Sequence, residues 1–377
     1  MFFEKSISVN WFRGNYKIIL FLILIVAVFP EIYLYPVFLL VVKPAGEEKI
    51  NEILLYVNET NNTFEKLERI AKWEVRDFTN AYNNNPNFAI DPFFRYPIYF
   101  DGNVKVRALA PLIPELSNNP YWIAFFKVGA CGELASLFSE VSKQAGFETR
   151  IVRTEGEDHT WVELKIDDEW IHADPTLYFI NYHYHQNLRW VDNPRFYDSK
   201  WFNVSKVFVK DTNGDVTEKY TDVGTLRVYL SEPADRIVVK TMKKEKEREV
   251  TTIDVNASTV NIELGGKKYN ITAEKDLIPC LVVLQDTKEV EVVEGKQTAI
   301  ELSPTNLEIK PLFYLSMLLL VEIAVLLFIW RKKRKGNYCK LSLSSINFIL
   351  SIGFFSISFT IPYISLSVLS ISGFSTI

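Results

Sequence analysis

GACGELASLFSEVSKQAGFETRIVRTEGEDHTWVELKIDDEWIHADPTLY occupies residues 129–178 of the 377-residue chain, and the fold turns on how it is read. Leu134, Phe138, Val141 and Ala145 recur three or four apart, with Leu137 beside them, and Gly146 follows. That is a helix with one buried face and a glycine stop. Cys131 therefore opens a helix, where unsatisfied N–H groups and the helix dipole favour a thiolate. The same N–H groups can stabilise an oxyanion when a thiolate attacks a carbonyl. Taken alone, a free cysteine is more often a small buried hydrophobe. His159 opens the run HTWVELKI, whose period of two puts Val162, Leu164 and Ile166 on one face and His159, Trp161 and Glu163 on the other. Asp167-Asp168-Glu169 reads as a polar turn, and Trp170–Asp174 as a returning strand that Pro175 ends. A hairpin about that turn sets His159 and Asp174 opposite each other to within one register step. A carboxylate there takes the imidazole N–H and fixes its tautomer, as in a Cys–His–Asp triad.

Further out, residues 44–80 read as two amphipathic helices, carried by Ile50, Ile53, Leu54 and Val57 and by Leu67, Ile70, Ala71 and Val75. Residues 87–128, rich in proline and aromatics, are expected to wall the site. From Gly224 to Pro304 short alternating runs (LRVYL, RIVVKT, STVNIEL, TAIEL among them) predict a small β-sandwich. Apolar stretches at Ile18–Val42, Pro311–Trp330 and Leu341 to the C-terminus predict three transmembrane helices. The cluster RKKRK at 331–335 reads as cytoplasmic, which would put residues 44–310 outside the cytoplasm of a multi-pass cell-membrane protein with the lipid bilayer as a partner. Five Asn-x-Ser/Thr sequons, at Asn58, Asn61, Asn203, Asn256 and Asn270, all fall in that outer segment. A net charge of −4 gives no reason to expect a nucleic-acid partner. Three cysteines with no CxxC pair give no disulfide framework and no cysteine-built zinc site. His183 and His185 in YHYH lack nearby carboxylate or thiol partners and read as an aromatic loop, so neither a metal nor a cofactor is expected.

The blocks GACGELASLF, GFETRIVR, DHTWVEL and EWIHADPT resemble the transglutaminase-like cysteine superfamily, and within it the peptide N-glycanase branch. The resemblance covers about residues 120–222, since SKVFVKDTNGDVTEKYT (205–221) is similar to that branch's next strands. It implies an α+β, papain-like core in which a helix carrying the cysteine packs on an antiparallel sheet carrying the histidine and aspartate. By that resemblance Cys131 is the nucleophile, His159 the base and acid, and Asp174 the orienting group. Glu133 and His172 also match the branch. An acidic side chain at Glu133 suits the first helical turn, His172 points to the side of Asp174, and Trp161 is placed to cover the His159–Asp174 pair from water. The paired zinc cysteines of the branch are missing here, and the branch is cytosolic.

The expected organisation is an N-terminal basic segment and anchor (1–43), a transglutaminase-like domain (44–222, with a helical lead-in 44–125 and a core 126–222), a β-sandwich-like domain (223–304), a span with a basic loop (305–340) and a last span (341–377). The expected function is a cysteine enzyme acting on amide bonds of proteins, peptides or glycopeptides through a thioester. Hydrolysis and acyl transfer both stay open. The alternative is a non-catalytic cell-surface module that binds peptide or glycan on the same fold.

Overall fold

The computed structural model describes residues 35–80, 98–100, 104–106, 119–184, 187–191, 203–243, 245–279 and 281–334. They divide into two compact units, one ending at Thr221 and the other beginning at Asp222.

In the first unit a π-helical turn, Phe38–Val42, runs into α1 (Lys43–Val57), and α2 (Thr63–Asp77) follows. Asn62 caps α2, its side chain accepting from the Glu65 N–H at 2.9 Å. Ile50, Ile53 and Val57 of α1 and Leu67, Ile70 and Ala71 of α2 are buried in one core. Gly46 lets α1 close on α3 (Pro120–Phe126), because a Cβ there would lie 2.2 Å from the Tyr121 carbonyl oxygen. The chain leaving α2 forms β1 (Thr79–Asn80), and β2 (Ile98–Phe100) pairs with β3 (Val104–Val106). β1 runs parallel to β4 (Val128–Gly129), which leads directly into α4 (Cys131–Gln144).

α4 is the central helix, and its apolar stripe explains why. Leu137, Phe138 and Val141 are fully buried against Val162, Leu164 and Ala173 of the sheet. Gly146, at φ 97°, ends the helix while the Phe147 N–H reaches back to the Ser142 carbonyl at 3.0 Å. The sheet has four strands in the order β7-β6-β5-β8: β5 (Glu148–Thr154), β6 (His159–Ile166), β7 (Glu169–Ala173) and β8 (Phe208–Val209). β6 and β7 join through Asp167 and Asp168 at φ 50° and 64°, the paired positive φ of a two-residue hairpin turn whose twist matches the strands. α5 (Pro175–Tyr184) follows β7, and α6 (Thr217–Tyr220) closes the unit.

The second unit is almost entirely strand. β9 (Val223–Leu230) lies between β12 (Thr259–Gly265) and β15 (Gln297–Leu302) in one sheet. The other sheet has the order β11-β10-β13-β14-β16, from β10 (Arg236–Lys243), β11 (Lys246–Asp254), β13 (Lys268–Ile278), β14 (Val282–Glu291) and β16 (Asn306–Ile309). Leu226 and Val228 of the first sheet share a buried cluster with Ile237, Val239 and Ile271 of the second. Alternate residues of each strand turn inward to build it.

The expectation of three transmembrane helices, and with it multi-pass placement, is overturned: among the described residues no helix is long and apolar enough to cross a membrane, and nothing shows the expected lipid bilayer as a partner. The middle stretch forms one helix, α7 (Pro311–Arg334). Glu322 divides its apolar run, and an ionisable side chain is costly at bilayer depth. Of the first expected span, 18–42, the part before residue 35 lies outside the described residues, as do the last span, 341–377, and most of the lead-in 81–118.

Candidate active site

Cys131 is the first residue of α4, partly exposed and not in a disulfide. The helix start is shaped by Glu133, whose side chain accepts from the Ala130 N–H at 3.0 Å, the reciprocal half of a capping box. Gly129 is required beneath it, since a Cβ there would lie 2.8 Å from Glu133 Cβ. Glu133 is itself buried, so its position serves the local backbone around the cysteine.

His159 begins β6 and is buried. Its Nε2 lies 2.6 Å from Asp174 Oδ2. Cys131 lies close enough to the same imidazole to help raise its pKa, so three elements (the α4 N-terminus, the start of β6 and the end of β7) converge on one ring. Burial by itself would lower the His159 pKa. The Asp174 carboxylate, with Cys131 adding to it, reverses that and holds the imidazole up at about 10, the protonated form through neutral pH.

Asp174 does not sit where hairpin register alone would put it. β6 and β7 pair Val162 with Ala173 and Glu163 with His172, so continuing the register sets Asp174 across from Trp161, two residues beyond His159. The contact forms because Asp174 is the N-cap of α5. Its Oδ1 accepts from the Thr176 and Leu177 N–H groups at 2.8 and 3.1 Å, leaving Oδ2 to reach His159 along the same face. Pro175, read as a strand terminator, is the first residue of that helix. The stretch expected as an aromatic loop is helical through Tyr184; His183 packs on Phe179 at 4.4 Å between centroids, and His185 lies outside the described residues.

Trp161 is fully buried and its indole stacks on His159, centroids 5.5 Å apart at 28°. His172 is also fully buried, 6.1 Å from Trp161 and from Tyr220. Burial lowers its pKa to about 4, Asp174 opposing and His159 reinforcing, so it is neutral beside a charged neighbour.

Behind this layer lies a network the sequence did not reveal. Glu163, fully buried, receives Arg150 Nε at 2.5 Å, the Tyr220 hydroxyl at 2.6 Å, and Lys219 Nζ. The strand period places Glu163 on the His159 face, but Tyr220 and Lys219 lie far along the chain. A second anchor holds the turn before His159: Glu157 accepts from the backbone N–H and the hydroxyl of Ser205, each at 3.0 Å, and from Thr154. Among the described residues no group of histidine, cysteine and carboxylate side chains is arranged to hold a metal ion.

A family model of the transglutaminase-like superfamily matches residues 93–175. That stretch is thus similar to domains of the superfamily, and the curated relatives that the chain resembles are asparagine amidases. It is similar to the peptide-N(4)-(N-acetyl-beta-glucosaminyl)asparagine amidase of Gallus gallus, 31% identical over 143 residues, which is 36% of this chain and 20% of that one. The protein of the same name from Arabidopsis thaliana is 28% identical, over 35% of this chain and 18% of its own, and that from Caenorhabditis briggsae 32% identical, over 27% and 16%. The match thus spans a fifth or less of each relative's length.

Proposed function

We propose that this chain is a cysteine amidase in which Cys131 is the nucleophile, His159 the proton carrier and Asp174 the group that orients it. The observation that carries the reading is the buried His159–Asp174 contact at 2.6 Å, with Cys131 at a helix start acting on the same ring. The Cys131 sulfur attacks an amide carbonyl carbon, and the α4 N-terminal N–H groups face the oxygen that gains charge. The tetrahedral intermediate collapses as the C–N bond breaks, the leaving nitrogen takes the His159 proton, and a thioester remains. Water, or an amine, then gives its proton to His159 and attacks the thioester carbonyl, releasing the acid or a new amide and restoring the thiolate–imidazolium pair.

The relatives' name describes an amidase of glycosylated asparagine, which supports a peptide or glycopeptide substrate for this chain. Glu133 sets the backbone around Cys131, while Trp161 and His172 keep the His159–Asp174 pair dry. No cofactor is invoked for these steps. Incubation with an Asn-linked glycopeptide and with glutamine-containing peptides, read by mass spectrometry, tests the reading. Glycan loss with Asn converted to Asp identifies deglycosylation, and an amine adduct identifies transfer. Turnover that persists in Cys131→Ala would sink the proposal, and binding without turnover in the unaltered protein would leave a peptide- or glycan-binding module instead.

A further inference from the structure

The Tyr220 hydroxyl stands between two groups of fixed character. The Trp161 indole Nε1–H can only donate, and it does so to the Tyr220 oxygen at 2.9 Å. Glu163, already receiving Arg150 and Lys219, accepts the Tyr220 proton at 2.6 Å. The direction of the chain Trp161→Tyr220→Glu163 is therefore set by chemistry. Tyr220 is fully buried and meets the indole edge-on, centroids 5.0 Å apart at 74°. Trp161 is thus held at its edge by Tyr220 while one of its faces lies on His159, and a tryptophan face stabilises a cation lying on it.

We infer that Tyr220 is a positioning residue: it locks the Trp161 indole against the His159 imidazole and so sustains the charged Cys131–His159 pair. The inference rests on the roles proposed for Cys131 and His159. The charged and titratable groups around the assembly are Cys131 from α4, Asp174 from the α5 cap, His172 from β7, Glu163 from β6, Arg150 from β5 and Lys219 from α6. Of these, Asp174 and Cys131 raise the His159 pKa directly, so Tyr220 acts beside them through the ring it holds.

The test is the pH profile of Cys131 alkylation by iodoacetamide on the full chain, mapped by mass spectrometry to separate Cys131 from Cys280 and Cys339, with thermal melts run alongside. Tyr220→Phe keeps the ring and removes the hydroxyl. It is expected to move the profile's midpoint up by about one pH unit, slowing labelling on its acid limb about tenfold. Trp161→Phe keeps a flat ring and removes the donor, and is expected to shift the profile in the same sense. The double variant is expected to be no worse than the more affected single one, because the two act through one contact. Fast labelling in the unaltered protein with an unchanged Tyr220→Phe profile overturns the inference and leaves the catalytic proposal standing. Labelling of the unaltered protein at the rate of an ordinary thiol overturns the catalytic proposal itself. If Tyr220→Phe does not melt cooperatively, Trp161→Phe decides alone, and an unchanged profile overturns the inference.

Discussion

Asp174→Asn separates two jobs held by one carboxylate. The side chain is fully buried; Oδ2 holds His159 at 2.6 Å and Oδ1 caps α5 through Thr176 and Leu177. An asparagine keeps an oxygen for the cap but turns an NH2 group toward His159, so the ring must accept there and loses both its partner charge and its tautomer. Removing one partner of a buried ion pair costs about 3–5 kcal/mol. The amide still makes a hydrogen bond, so Asp174→Asn is expected near ~3 kcal/mol. Asp174→Ala also loses the cap and should cost about 1 kcal/mol more. The pH dependence is the sharper readout. His159 has a folded pKa of about 10 against an ordinary 6.5. Its pair with Asp174 therefore contributes stability that is fully present below pH 6.5 and is lost as pH rises through about 10. Urea unfolding at about pH 6 and about pH 9 should show the native protein weakening by up to ~1.4 kcal/mol per pH unit across that window. Asp174→Asn, with Cys131 unchanged in both proteins, should be nearly flat. An Asp174→Asn protein with the native decline, or native stability at neutral pH, would refute the reasoning.

Other outcomes can be checked by the same melts. Glu74 is a fully buried carboxyl on α2 with no hydrogen-bond partner among the described residues, and burial holds its pKa well above the usual 4.5. Its protonated form is the one the fold tolerates, so stability falls as pH climbs above 4.5, and Glu74→Leu should stabilise the protein by about 1–3 kcal/mol at neutral pH. His172 works in the opposite sense: with a folded pKa near 4 against 6.5, it weakens the protein as pH falls from 6.5 toward 4, and His172→Leu should remove that acid-side loss. Gly46→Ala drives a methyl into the Tyr121 carbonyl at 2.2 Å and should lower stability by about 1–3 kcal/mol through the α1–α3 crossing, seen as an earlier thermal midpoint.

What the sequence disclosed was local and periodic. The three-and-four spacing of Leu134, Phe138 and Val141 marked the α4 face that is buried. The alternation in HTWVELKI and the pair Asp167–Asp168 marked a hairpin that the structure forms. What stayed hidden depended on contacts between distant segments. The Glu163–Tyr220 bond joins residues 57 apart and the Glu157–Ser205 bond residues 48 apart, and no period links them. How Asp174 reaches His159 was hidden for a different reason: Asp-Pro signals a turn, a strand end or a helix cap equally well, and only the amides of Thr176 and Leu177 decide among them. The apolar run at Pro311–Trp330 was weighed by its length, while the structure gives one helix containing Glu322 and closed by Arg331–Arg334.

The shared use of Asp174 bears on how this site can decay over evolutionary time. On the proposed roles, a lineage that abandoned catalysis would be free to lose Cys131 at once, because that side chain is partly exposed and sits in the helix's first turn. His159 could follow. The aspartate could not leave so easily, since α5 would lose its cap. In inactive descendants an Asp-Pro pair at this position should outlast the other two residues, so its presence in a homologue would testify to the fold and not to the chemistry.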